Sequence, residues 1–91
     1  MLETEMYEAV IVRAVEKVTG IKYITSETNL LSRTVGVFPA DFLYIFRIIE
    51  EELNVEINSV FVDSTYEVFV VENLAKKIRS ICESIGNVGK H

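Results

Sequence analysis

The chain has 91 residues, of which 49% are hydrophobic and 25% are charged, and its 14 acidic and 9 basic side chains give a net charge of -5. This length supports a single hydrophobic core, and the composition is that of a folded chain rather than a disordered one. The negative charge and the scattered basic residues disfavour binding to nucleic acid or to an anionic membrane surface. No apolar stretch approaches the roughly 20 residues that a membrane-spanning helix needs, so no membrane partner is expected.

The N-terminus and the single cysteine bear on cellular location. Glu3, Glu5 and Glu8 stand where a signal peptide would carry basic residues followed by an apolar segment. Cys82 has no second cysteine with which to form a disulfide, and the sole histidine, His91, is terminal. We therefore expect a cytoplasmic, monomeric protein that has no cofactor or metal site and is not an enzyme.

The first third of the chain predicts one helix and one long loop. Apolar residues at helical spacing run from Glu3 to Thr19, and Gly20 offers a left-handed cap directly after them. Residues 21–38 are mostly polar, with isolated apolar residues that we expect to pin this loop to the core. A loop of this length is uncommon in a compact domain, so it indicates either a missed element or a fold that specialises in such a loop.

A second helix is predicted to begin at Pro39, because the fixed φ of proline and its missing N–H suit the first helical position. Asp41 then complements the positive end of the helix dipole, and the helix runs to about Leu53. Its apolar stripe at spacings of three and four consists of Phe42, Ile45, Phe46, Ile49 and Leu53. Residues 54–57 are typical of a helix exit.

The remaining residues predict one short element and a last helix. Residues 58–69 are rich in Val and Phe and fit either a short helix or a few extended residues. The last helix is expected from about Val71 to Ser84 and is ended by Gly86, so that a domain of residues 1–86 is followed by a flexible tail of residues 87–91. The predicted core consists of Ile11, Val15, Val18, Leu30, Phe42, Phe46, Ile49, Leu53, Leu74, Ile78 and Ile81.

The order of these elements resembles that of acyl carrier proteins, which have a first helix, a long loop, a central recognition helix, a short third helix and a final helix. Residues 28–30 (TNL) are similar to the loop segment before that family's Gly-x-Asp-Ser-Leu motif, and Gly36 lies where the glycine of the motif is expected. Residues 49–57 (IEEELNVEI) are very similar to the family's acidic exit from helix two, and residues 73–75 (NLA) to the start of its last helix. The resemblance covers nearly the whole chain and implies an all-α, acyl-carrier-protein-like irregular four-helix bundle with three longer helices and one short one.

The chain departs from this family at the residue that carries the prosthetic group. Counting from Gly36 places Pro39 at the position of the family's serine, and anchoring instead on Asp41 places Phe42 there. Attachment of phosphopantetheine needs a nucleophilic hydroxyl, which neither side chain has. We therefore expect no phosphopantetheine at this position, although a helix start accepts proline without loss of the fold.

The resemblance then implies a binding module without a prosthetic group, which docks through helix two onto a biosynthetic or peptide-maturation enzyme that presents a basic patch. Acidic residues at the helix exit would orient the encounter, while Tyr44 and Ile48 on the outward face are either a partner patch or ordinary exposed apolar groups. Arg47 differs from the acidic or apolar surface of carriers and implies a partner other than the enzymes of fatty-acid synthesis. The predicted partner-binding residues are Asp41, Tyr44, Arg47, Ile48, Glu50, Glu51, Glu52 and Glu56.

Two other interpretations stay open. The chain could be a working acyl or peptidyl carrier with its attachment residue elsewhere, for which Ser32 is a candidate, although serine in a polar loop is usually only a solvated loop residue. It could also be a general helical interaction domain that converged on the same pattern. The absence of a long loop between the first two helices would favour that last interpretation.

Overall fold

A computed structural model describes residues 2–57 and 66–89 of the protein, with side chains described over residues 4–57 and 66–84. Three α-helices and one short 3-10 helix follow in chain order: α1 (Leu2–Thr19), α2 (Asp41–Leu53), the 3-10 helix (Tyr66–Phe69) and α3 (Val71–Gly89). The described residues contain no strand, and Asn29 and Val70 form only an isolated antiparallel bridge. The predicted all-α class and the long connection between the first two helices are therefore confirmed.

Helix α1 is central, because it packs against both α2 and α3. The three helices each turn an apolar stripe into one core, with spacings of three and four as predicted. The predicted core residues that are buried are Ile11, Val15, Leu30, Phe42, Phe46, Ile49, Leu74 and Ile78, whereas Val18, Leu53 and Ile81 are half-buried at its edge. The core also includes Val10, Ala14, Ile24, Ile45, Ile57, Phe69, Val71 and Ala75.

The helix ends depart from the predicted ends at two places. Gly20 caps α1 as predicted, with a φ of 78° and its N–H donated to the Glu16 carbonyl over 2.8 Å. Pro39, however, lies in a turn before α2 rather than at its first position, and the helix begins at Asp41. The last helix does not end at Gly86 but continues to Gly89, because a helical glycine costs only about 1 kcal/mol and stops a helix only where it adopts a cap. The predicted tail is thus helical up to residue 89.

The long connection is ordered by hydrogen bonds to the start of α3. The carbonyls of Ser26 and Thr28 accept the N–H groups of Glu72 and Val71, each over 2.9 Å. These are two of the N–H groups that a helix start leaves without a partner inside the helix. Leu30, which is fully buried, donates its own N–H to the carbonyl at the end of the 3-10 helix. The loop therefore caps α3 and is held in the core, as the isolated apolar residues predicted.

The short element between α2 and α3 includes a single turn of 3-10 helix, Tyr66–Phe69, from which Phe69 enters the core. This agrees with the short-helix alternative for the end of this segment. The rest of the segment, residues 58–65, lies outside the described residues.

Candidate docking surface

The outward face of α2 exposes two large side chains that carry apolar surface. Leu43 and Tyr44 have 71% and 63% of their surface exposed, and Arg47, one turn further on, is exposed beside them. The face exists because the core stripe of α2 occupies the opposite side of a helix with 3.6 residues per turn. An apolar, an aromatic and a guanidinium group thus stand together on solvent-facing surface, and Tyr and Arg are two of the residue types most enriched among the anchors of protein interfaces.

Two of the predicted partner-binding residues of α2 are less available than the sequence suggested. Ile48 is half-buried and packs against the core rather than standing free on the outward face. Asp41 is also half-buried, and its Oδ2 accepts the N–H of Phe38 over 3.1 Å, which fixes the turn before the helix. The exposed apolar group of this face is therefore Leu43, which the sequence analysis did not select.

The acidic residues at the exit of α2 make different contacts. Glu50 is half-buried, and its Oε2 accepts the N–H of Ile57 over 2.9 Å, so it holds the chain where it turns back after the helix. Glu52 pairs with Arg13 of α1. Glu51 lies 3.6 Å from the Nε of Arg47 in an exposed pair, a kind that contributes little to stability.

Four of the predicted residues do come together at this end. Arg47, Glu50, Glu51 and Glu56 line one open depression of about 520 Å³, together with two residues of the helix exit. Glu51 and Glu56 are exposed there and remain available to a partner. The depression is therefore acidic overall, with the guanidinium of Arg47 on one side.

The position of the missing serine, Pro39, is exposed in the turn that leads into α2. The Phe38 carbonyl accepts the Asp41 N–H over 2.9 Å, and the Pro39 carbonyl accepts the Phe42 N–H over 3.2 Å. Ser32, the alternative attachment residue, is half-buried, and its Oγ lies 2.9 Å from the hydroxyl of Thr34. Both Pro39 and Ser32 line the same cavity.

This cavity, which sequence reasoning did not find, has a volume of about 530 Å³ and lies between the loop, the start of α2 and the 3-10 helix. Its buried residues are Phe42 and Phe69, whose rings meet edge to face with centroids 5.7 Å apart. The described residues that line it are Leu31, Ser32, Arg33, Gly36, Val37, Phe38, Pro39, Phe42 and Phe69. A concave, mainly apolar site with few polar groups is typical of a binding pocket.

The described side chains also bear on metal binding. They contain no cluster of three or more His, Cys, Asp or Glu residues placed to hold a metal ion. Cys82 is half-buried and packs against the core, and His91 lies outside the described residues. In the described part of the chain, no helix has the length and apolar character needed to cross a membrane.

Comparison with family models, curated proteins and solved structures found nothing that matches this chain. The acyl-carrier-protein resemblance therefore stays a prediction from the sequence.

Proposed function

We propose that the protein is a carrier-like docking module, built as an acyl-carrier-protein-like bundle, that binds an enzyme of biosynthesis or peptide maturation through the outward face of α2. The observation that carries this proposal is the exposure of Leu43, Tyr44 and Arg47 side by side on that helix. Aromatic and arginine side chains supply a large share of the binding energy at protein interfaces. The absence of a hydroxyl at Pro39 removes the alternative that this face presents a prosthetic group from that position.

The acidic exit supports a second feature of the proposal, which is a partner with a basic patch opposite Glu51 and Glu56. Both carboxylates are exposed at the open depression, where Glu51 makes only the weak pair with Arg47, whereas Glu50 accepts the Ile57 N–H and Glu52 pairs with Arg13. Charges at the rim of an interface act mainly on the association rate and orient the encounter. Glu51 and Glu56 therefore steer the partner, and Leu43 and Tyr44 hold it.

The test begins with a pull-down against proteins encoded beside this one, followed by titration of any partner. Tyr44→Ala should weaken the complex by roughly 1–3 kcal/mol at any ionic strength, mostly through faster dissociation. Glu56→Lys should instead slow association, with an effect that shrinks as salt is added.

Matched controls come from other surfaces of the same chain. Tyr23 is as exposed as Tyr44 but belongs to the loop, and Glu16 is an exposed carboxylate of α1. Tyr23→Ala and Glu16→Lys should leave the affinity unchanged. A partner whose affinity ignores Tyr44→Ala and Glu56→Lys alike would show that α2 is not the docking surface.

The alternative of a carrier that uses a non-standard residue is favoured by one observation, which is that Ser32 lines an apolar cavity. Incubation with coenzyme A and a phosphopantetheinyl transferase, followed by intact-mass measurement, separates the two functions. The docking module gains no mass. A gain of one phosphopantetheine that Ser32→Ala abolishes would establish the carrier instead.

A further inference from the structure

The cavity beside α2 has an apolar interior and an exposed apolar rim. Phe42 and Phe69 are buried at its inner side, whereas Leu31, Phe38 and Pro39 are exposed at its mouth, Phe38 by 71%. The volume of the cavity is about 530 Å³, whereas a water molecule in the liquid takes roughly 30 Å³. The cavity therefore has room for one large side chain. Its mouth thus exposes apolar side chains to solvent on a chain with a net charge of -5.

The mouth of this cavity is also positively charged. Among the described residues of the lining, Arg33 alone is charged, and it makes no ion pair or hydrogen bond with any described residue. Neither Glu27 nor Asp41, the acidic residues on either side of Arg33 along the chain, lines the cavity, and Asp41 accepts the Phe38 N–H instead. A guanidinium without a partner beside apolar surface favours a carboxylate, which it can bind through two parallel hydrogen bonds.

We propose that this cavity anchors the protein's partner by taking one bulky apolar side chain whose neighbour in the partner sequence is Asp or Glu, with that carboxylate bound to Arg33. The inference rests on the proposed docking function and adds the chemistry of the segment that docks. The partner then presents an acidic residue at the loop end of α2 and basic residues at its exit, where Glu51 and Glu56 lie. The acidic and the basic residues of the partner together fix the direction in which the partner lies along α2.

The occupant is a protein segment because exposed apolar side chains lie both at the mouth of the cavity and on the docking face. Phe38 and Pro39 are exposed at the mouth, and Leu43, four residues after Pro39, is exposed on the face proposed for docking. A small ligand is usually enclosed over most of its own surface, whereas a rim this exposed is covered only by something larger. An anchor in a pocket with contacts on both sides is the usual arrangement at the centre of a protein interface.

The experiment is a selection of random peptides displayed on phage against the full chain, followed by titration of the enriched peptide as a synthetic ligand. The enriched peptides should share a Phe, Leu or Trp beside an Asp or Glu. Arg33→Glu should weaken the synthetic peptide about tenfold or more, because the carboxylate loses its partner and meets a like charge. Phe38→Ala should weaken it about fivefold through lost apolar contact.

The matched control for charge is Lys76→Glu, since Lys76 is exposed on α3 and does not line the cavity. It changes the net charge as Arg33→Glu does and should leave binding unchanged. A peptide with Lys in place of its acidic residue should bind the Arg33→Glu variant better than it binds the unaltered chain. Such a charge reversal is not expected from a purely structural role of Arg33.

The proposal is wrong if no enriched peptide distinguishes Arg33→Glu from Lys76→Glu, or if decanoate alone occupies the cavity and no peptide competes with it. Failure of the docking function gives a different result. In that case Arg33→Glu weakens the binding of the peptide, but Tyr44→Ala leaves the affinity of every captured partner unchanged. The reverse pattern would retain the docking function and overturn the cavity proposal. In that pattern Tyr44→Ala lowers the affinity of the partner, whereas Arg33→Glu and Phe38→Ala leave it unchanged.

Discussion

Glu50 has a structural role at the exit of α2 that its neighbour Glu51 does not share. Its side chain accepts the backbone N–H of Ile57, a fully buried residue seven positions further on. Glu50→Ala leaves that N–H without its partner, so we expect a loss of about 1–3 kcal/mol in the free energy of unfolding. Glu50→Gln keeps a carbonyl acceptor and should recover most of it. Urea titration of the three proteins measures both effects.

The control for this prediction is Glu51→Ala, because Glu51 is exposed and makes only the weak pair with Arg47. Its stability should stay within about 0.5 kcal/mol of the unaltered chain. Equal losses for Glu50→Ala and Glu51→Ala would mean that the bond to Ile57 does not hold the helix exit. The same bond makes Glu50 a poor position for testing steering, since Glu50→Lys would alter the fold as well as the charge.

Pro39 allows a test of whether only the nucleophile separates this chain from a carrier. It lies exposed in the turn before α2, where its carbonyl accepts the Phe42 N–H. A serine carbonyl can accept the same bond, so Pro39→Ser should leave the fold intact. Phe38 and Ala40 flank it where carriers have Asp and Leu, and we therefore expect little or no phosphopantetheine transfer in an intact-mass assay. Efficient loading of the variant would favour recent loss of the serine from a true carrier over adaptation to a new role.

At the scale of elements, the loop between α1 and α2 depends on Asn29. Its Oδ1 accepts the Leu31 N–H over 2.8 Å and its Nδ2 donates to the Tyr66 carbonyl over 3.0 Å, so one side chain joins the loop to the 3-10 helix. Asn29→Ala should cost about 1–2 kcal/mol of stability. The amides of Leu30 and Val71, which bond across this junction, should exchange with solvent faster.

Asn29→Asp is the informative companion to that variant, because it keeps the acceptor for Leu31 and loses the donor to Tyr66. We expect its stability to lie between those of Asn29→Ala and the unaltered chain. Faster exchange at Leu30 and Val71 in Asn29→Ala alone would locate the effect in the acceptor. Unchanged exchange in both variants would show that Asn29 does not hold the loop against the 3-10 helix.

The same scale shows which parts of the fold the sequence could predict. The stripes of α1 and α2 follow from helical spacing, so Ile11, Val15, Phe46 and Ile49 are buried as expected. Leu43 and Ile48 flank the stripe of α2 on opposite sides at similar angles, since each residue advances by about 100° around the axis. Periodicity alone could not tell which of them the rest of the chain covers, and the exposed one is Leu43.

Contacts between parts of the chain that are distant in sequence could not be predicted from local patterns either. Ile57 is buried because the chain turns back after Asn54, which adopts a left-handed φ of 56°, and because Glu50 then binds it. The cavity depends on a loop, a helix start and the 3-10 helix meeting, so neither Arg33 nor Phe38 carried a local signal. The candidate site was therefore predictable in its helix and its acidic exit, but not in the apolar pocket next to them.

At the scale of the whole molecule, α1 contacts both other α-helices and the loop caps α3, so the described residues share one core. We therefore expect a single cooperative unfolding transition. Ile49→Val removes one methylene from a fully buried side chain and should cost about 0.5–1.5 kcal/mol, and Phe46→Ala about 3–5 kcal/mol. Far- and near-ultraviolet circular dichroism should give the same midpoint for each protein, and Tyr44→Ala, on the exposed face of the same helix, should scarcely move it. Separate midpoints in Ile49→Val would show that the protein does not unfold in a single cooperative transition. A loss below about 1 kcal/mol in Phe46→Ala would contradict the burial of that face.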